Sequence, residues 1–214
     1  MIKRELYMNR IRPFIGGELI KVMTGIRRSG KSVMLELIKE ELAEAGVAPS
    51  QMISINFEDM RYSHLQTATA LHDEIIKRAE GIEGKAYLFF DEIQEVEGWE
   101  KCVNSLRVAL DCDIYITGSN AKLLSGELAT YIGGRYVEFV IYPFSFAEFL
   151  ELYHTIAPSD SIQQCFQKYL LAGGMPYLAN LRYEEEPSRQ YLTDLFNSCL
   201  LYTSPSPRDT ERSR

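Results

Sequence analysis

The chain has 214 residues, 46% hydrophobic and 25% charged, which is enough for one full domain and part of a second. A formal net charge of −7 excludes bulk binding of a polyanion, so a nucleic-acid role would need a local basic patch. The scattered Cys102, Cys112, Cys165 and Cys199 form no CxxC pair, and His64, His72 and His154 lack metal-ligand spacing, so neither a zinc site nor a disulfide framework is suggested.

The chain opens on MIKRELYMNRIRPF, where Lys3, Arg4, Arg10 and Arg12 make the one candidate basic patch. The heavier reading is a solvated amphipathic lead-in helix. From there apolar, β-rich runs alternate with helical patterns, which predicts βαβ units and a parallel five-stranded sheet with helices on both faces. The strands are read at 19–24, 52–58, 85–92, 113–119 and 136–144. The first helix runs from about Lys31 to Ala45, stopped by Gly46 with Pro49 beyond. LHDEIIKRAE, WEKCVNSLRVAL and AKLLSGELATYI supply the next three, with Trp99 as a core or interface anchor of the third helix.

After Pro143 the character changes to amphipathic helices in FSFAEFLELY, SIQQCFQKYLLAGG and SRQYLTDLFNS. The organisation expected is an α/β domain over 1–150, a truncated helical lid-like segment over 151–198, and a non-native or disordered tail over 199–214. The last stretch, LLYTSPSPRDTERSR, has no periodic apolar pattern and cannot bury enough surface to fold. It is similar to translated sequencing adapter, which implies a natural chain continuing past about Ser198; the alternative is a natural disordered tail. No apolar run approaches the roughly 20 residues that span a bilayer, and no signal peptide opens the chain, so it reads as cytoplasmic with no membrane partner.

From Gly25 the sequence G-I-R-R-S-G-K-S matches GxxxxGK[ST] in full, with a strand before it and a helix after it. Gly25 and Gly30 let the backbone fold tightly round a phosphate, while the amides of Arg28, Ser29, Gly30 and the helix start through Val33 point at the anion. Lys31 reaches the β- and γ-phosphates as a point charge, and the Ser32 hydroxyl is a Mg²⁺ ligand. The loop thus predicts a nucleoside triphosphate.

Further along, YLFFDEIQ is a hydrophobic strand ending in Asp91 and Glu92. After a phosphate loop such a pair holds the Mg²⁺ through Asp91 and polarises the attacking water through Glu92 as general base; standing alone it would be an acidic cap on the next turn. In YITGSN, Asn120 (or Ser119 beside it) either orients the water near the γ-phosphate or N-caps the following helix. In GGRYVEF, Arg135 either reaches across a subunit interface to a neighbour's γ-phosphate or is a surface arginine after a Gly-Gly stop. Guanine specificity is disfavoured, because NAKL at Asn120 lacks the acidic residue of an N-K-x-D element.

In this order the four features resemble the additional-strand P-loop ATPases, specifically the AAA+ group. TGIRRSGKS, LFFDEIQ, ITGSNAKLLSGELATYIGGRYVEF, YPFSFAEF and GGMPYLA, spread over about residues 10–185, are similar to one prokaryotic family. Its full-length members are AAA-type ATPases with an additional C-terminal domain. The resemblance implies ATP and Mg²⁺ as ligands and gives Lys31, Ser32, Asp91, Glu92, Asn120 and Arg135 the roles above. It implies an ATPase whose hydrolysis drives a conformational or assembly switch, the alternative being a nucleotide-gated binding module with little turnover. A homo-oligomer is implied through Arg135, and the client is a protein or DNA, with protein ahead on the acidic balance.

Overall fold

A computed structural model describes residues 2–118 and 132–197. The described residues fall into two compact units, one holding residues 3–26, 30–118 and 132–142, the other residues 2, 27–29 and 143–197. The first unit is built on β1 (Ile20–Thr24), β2 (Met52–Asn56), β3 (Ala86–Asp91), β4 (Cys112–Thr117) and β5 (Tyr136–Val140). These pair in the order β2-β3-β4-β1-β5, every pairing parallel, so β4 lies between the strand before the phosphate loop and the strand ending in Asp91.

Strand position explains the sequence patterns. The inner strands β1 and β4 are buried at every residue, whereas the edge strand β2 alternates. Side chains alternate between two cores. On one face Val22, Ile55, Leu88, Phe90, Ile114 and Ile116 pack with α3 (Ala68–Ala79) and α4 (Trp99–Ala109), where Trp99 is 4% exposed. On the other, Met23, Phe89, Tyr115 and Phe139 pack with α1 (Glu5–Ile11) and α2 (Lys31–Glu44).

The lead-in helix is not merely solvated. Tyr7, Met8 and Ile11 are buried in that second core, Arg4 is 2% exposed, and Arg12 is bonded to Glu5 and Glu41. The candidate basic patch is thereby broken up, because α1 is short enough to bury one whole side and α2 offers Arg12 a carboxylate. The last strand stops at Val140, well short of residue 144. Helix AKLLSGELATYI falls outside the described residues except for Ile132, which is buried. Burial pushes the Cys102 thiol up to about 12 and the Cys112 thiol up to about 11, and both are free.

In the second unit, α5 (Phe146–Tyr153) and α6 (Ile162–Ala172) each begin in a capping box, Ser145 with Glu148 and Ser161 with Gln164. Phe149 is fully buried among the rings of Tyr153, Tyr169 and Tyr183, and α7 (Glu185–Leu195) adds Tyr191 and Leu192 to the cluster.

One charged pair lies inside the sheet core. Lys21 on β1 bonds to Asp113 on the adjacent β4, and both side chains are fully buried. The Asp113 carboxylate also accepts from Tyr115 Oη at 2.6 Å and from the Gly16 amide at 2.7 Å, while Lys21 donates to the Gly17 carbonyl at 3.1 Å. Burial lowers the Lys21 pKa, and Asp113 works against that shift. Removing one partner of such a pair costs about 3–5 kcal/mol. Asp113→Asn should therefore lower the melting temperature by roughly 10 °C, and Lys21→Met in the same chain should recover a large part of the loss; calorimetry of the three proteins checks both.

Candidate nucleotide site

The phosphate loop leaves β1 at Thr24, whose hydroxyl donates to Glu138 Oε1 on β5 at 2.6 Å. The backbone then turns through two glycines in the left-handed half of conformational space, Gly25 at φ 142 and Gly30 at φ 100. Gly30 caps α2, so the amides of the first helical turn face the loop. Lys31 is 4% exposed and folds back over the loop, donating to the Gly25 carbonyl at 3.3 Å and the Ile26 carbonyl at 3.4 Å. Arg28 and Ser29 cluster with the second unit, where the Arg28 guanidinium stands 5.8 Å from the Tyr191 ring. Val33 is 38% exposed on the first turn of α2.

Sheet register assembles the acidic half. Asn56 pairs directly with Asp91, and Phe90 with Ile116, so Asn56, Asp91 and Thr117 stand in a row at the carboxyl ends of three adjacent strands. They point to the face that α2 covers, because they alternate with residues of the opposite core. Asp91 is 7% exposed and gathers three donors. Thr117 Oγ1 and Ser32 Oγ (3.1 Å) reach Oδ1, and Asn56 Nδ2 reaches Oδ2 at 3.1 Å.

Glu92 follows in a left-handed conformation, φ 55, which costs a non-glycine residue on the order of 1 kcal/mol. Its amide donates to Thr117 Oγ1 at 3.0 Å, so one threonine ties down both acids. The Glu92 carboxylate stands 3.7 Å from Lys31 Nζ and accepts from Gln94 Nε2 at 2.6 Å. The structure thus brings Lys31, Ser32, Asp91 and Glu92 together. Asn56, Thr117 and Gln94 join them, although nothing in local sequence spacing marks them.

Two predicted residues stand apart. Asn120, with Ser119, lies outside the described residues. Arg135 is exposed just before β5 and donates to Asn104 on α4 at 2.8 Å. Tyr136 pairs with Ile20 at the start of β1, so Arg135 lies at the opposite end of the sheet from Gly25.

Residues 18–150, which hold the glycine loop, the acidic strand and the β4 between them, match a protein family described as AAA domain. The chain belongs to the AAA domain family. Among curated relatives, this AAA protein is 41% identical over 202 residues to an uncharacterized protein of Haemophilus influenzae, covering 94% of this chain and 50% of that one. It is 34% identical over 189 residues to an uncharacterized protein of Methanocaldococcus jannaschii, covering 83% and 41%. The chain therefore spans half or less of the length of these relatives.

Among solved structures it resembles Aeropyrum pernix Orc1 in complex with DNA, with 15% identity and a TM-score of 0.51, covering 90% of this chain and 66% of that one. A Thermotoga maritima RuvB mutant gives the same identity and TM-score, covering 90% and 62%. At that identity the likeness shows the fold, a five-stranded parallel sheet of AAA type. No helix among the described residues is long and apolar enough to cross a membrane.

Burial raises the Asp91 pKa, against the donors Thr117 and Ser32 that lower it. The folded protein therefore holds that proton more tightly than the unfolded chain. The stability so contributed is present in full below the unfolded pKa, about 3.9, and is lost as pH rises through the folded value. Wild type should gain stability relative to Asp91→Ala on going from about pH 7.5 to about pH 4.5, read as the difference in urea midpoints without nucleotide or metal. A constant difference would contradict the buried, proton-holding carboxyl.

Proposed function

We propose that this AAA domain binds ATP with Mg²⁺ and hydrolyses it, using the cycle to switch a conformation or an assembly. The observation that carries the reading is the convergence of Ser32 Oγ and Asp91 Oδ1, 3.1 Å apart at the mouth of a glycine loop, with Glu92 one residue on.

Two hard oxygens in one place suit Mg²⁺, which binds through one or two carboxylates plus substrate phosphates and needs no all-protein cage. Bound there, the ion would neutralise charge developing on the phosphates. The amides from Gly25 through Arg28, Ser29 and Gly30 to Val33 would hold the phosphates, and Lys31 would exchange its carbonyl partners for phosphate oxygens. Glu92 would take the proton of the attacking water, and Asn120 is proposed to orient that water.

Arg135 serves a different copy in this reading. The level of Arg135 and that of Gly25 are six residue steps apart along the strands, roughly 20 Å at 3.3 Å each. A γ-phosphate that Arg135 meets would belong to a second chain, which supports a homo-oligomer. With Arg4 buried and Arg12 paired with Glu5 and Glu41, Lys3 and Arg10 are what is left of the N-terminal basic patch, which favours a protein client over DNA.

Lys31→Ala should abolish ATP binding, and Glu92→Gln should bind ATP normally while losing most turnover, about 100-fold or more. Binding measured by calorimetry and turnover by phosphate release separate the two; equal loss of binding in both would contradict this division of labour. Turnover per chain should rise with protein concentration in wild type and stay flat in Arg135→Ala. Background turnover at every concentration would instead favour a nucleotide-gated binding module.

A further inference from the structure

Gln94 lies on a single 3-10 turn, Ile93–Glu95, anchored by the fully buried Ile93. The left-handed backbone of Glu92 reverses the chain ahead of that turn, so the Gln94 side chain comes back over Glu92 and its Nε2 donates to Oε2 at 2.6 Å. The two carboxylate oxygens therefore have different neighbours. Gln94 holds Oε2, and Lys31 Nζ stands 3.7 Å from Oε1. A phosphate competes for the lysine and leaves the amide where it is.

The far end of the same amide is unsatisfied. Gln94 Oε1 is buried and has no hydrogen-bond partner among the described residues, an arrangement that works against folding. Exchanging the amide's oxygen and nitrogen would not help, because it would set an oxygen 2.6 Å from a carboxylate oxygen. The amide is thus oriented by Glu92 at the expense of its own carbonyl. A methionine of similar shape would suit the position better if packing were all that mattered, and a local rule broken in this way marks a residue kept for its effect on a neighbour.

We propose that Gln94 is the positioning residue for water activation. It pins Glu92 Oε2 so that Oε1 is presented to the attacking water once a γ-phosphate engages Lys31. This rests on the ATPase reading of the site. In the step it serves, the water oxygen bonds to the terminal phosphorus as its proton passes to Glu92 Oε1. The bond from that phosphorus to the bridging oxygen breaks, and its electron pair leaves on the nucleoside diphosphate. Gln94 takes no part in the bond changes; it narrows the arc over which Glu92 swings, and orientation of this kind is worth about 10- to 100-fold in rate.

The test compares wild type, Gln94→Met, Gln94→Glu and Glu92→Gln for ATP turnover, ATP affinity and melting temperature. Gln94→Met should lose about 10- to 100-fold in kcat, keep Kd within about two-fold, and melt at or above the wild-type temperature, since the orphaned acceptor is gone. Gln94→Glu, which sets a second carboxylate against the first, should lose at least as much kcat. Full turnover in Gln94→Met beside a dead Glu92→Gln would overturn the inference and leave the ATPase reading standing. Loss of turnover in Gln94→Met that tracks a lower melting temperature would overturn it as well, by making the residue structural. Wild-type turnover that survives Glu92→Gln, or no turnover in any of the four, would overturn the ATPase reading and this inference with it.

Discussion

A carboxylate at 7% exposure is tolerated only where donors are brought to it, and Asp91 draws its donors from three separate elements, β2, β4 and α2. That requirement ties the site to the sheet. Asn56 reaches Asp91 because β2 and β3 are in register, and Thr117 does so because β4 is β3's other neighbour. Ser32 reaches it because α2 covers that face. A shift of any pairing by one residue would turn the partner to the opposite core and leave the charge uncompensated.

The same site trades stability for chemistry in several places. Asp91 is held where burial favours its protonated form, Glu92 in a left-handed backbone, and Gln94 with an unsatisfied carbonyl. All three fall within four consecutive residues at the carboxyl end of β3, whereas the cores on either side of the sheet are built mainly from apolar residues. Concentrated strain of this kind is expected where function overrides packing.

Much of the fold was legible because its signals are local. The nearly continuous apolar run of β3, the β-rich runs of β1 and β4 and the helix stop at Gly46 can each be read within a dozen residues. The glycine loop and the acidic pair were legible for the same reason. Asn56, Thr117 and Gln94 were not, since their partners are set by strand order and register, which no local spacing encodes. The N-terminal helix was read as solvated because its seven residues include the charged Glu5 and Arg10; that Tyr7, Met8 and Ile11 complete a core depends on α2 and β5 being in place. The buried Lys21 looked like an ordinary strand residue because its counter-ion is 92 positions away.

That distance has a consequence for synthesis. β1 emerges early, yet its only sheet partners are β4 and β5, and the bonds that fix it, Lys21 to Asp113 and Thr24 to Glu138, span 92 and 114 residues. Until Thr117 has left the ribosome, the strand that launches the phosphate loop has no ladder on either side, and until Val140 has followed it lacks the ladder to β5, so residues of a fully buried type wait exposed. The nucleotide pocket is therefore completed late in its domain, although its motif precedes β4 and β5 in the chain, and a nascent chain stopped short of β5 carries the full glycine loop without the Thr24–Glu138 bond and the β5 ladder beside it.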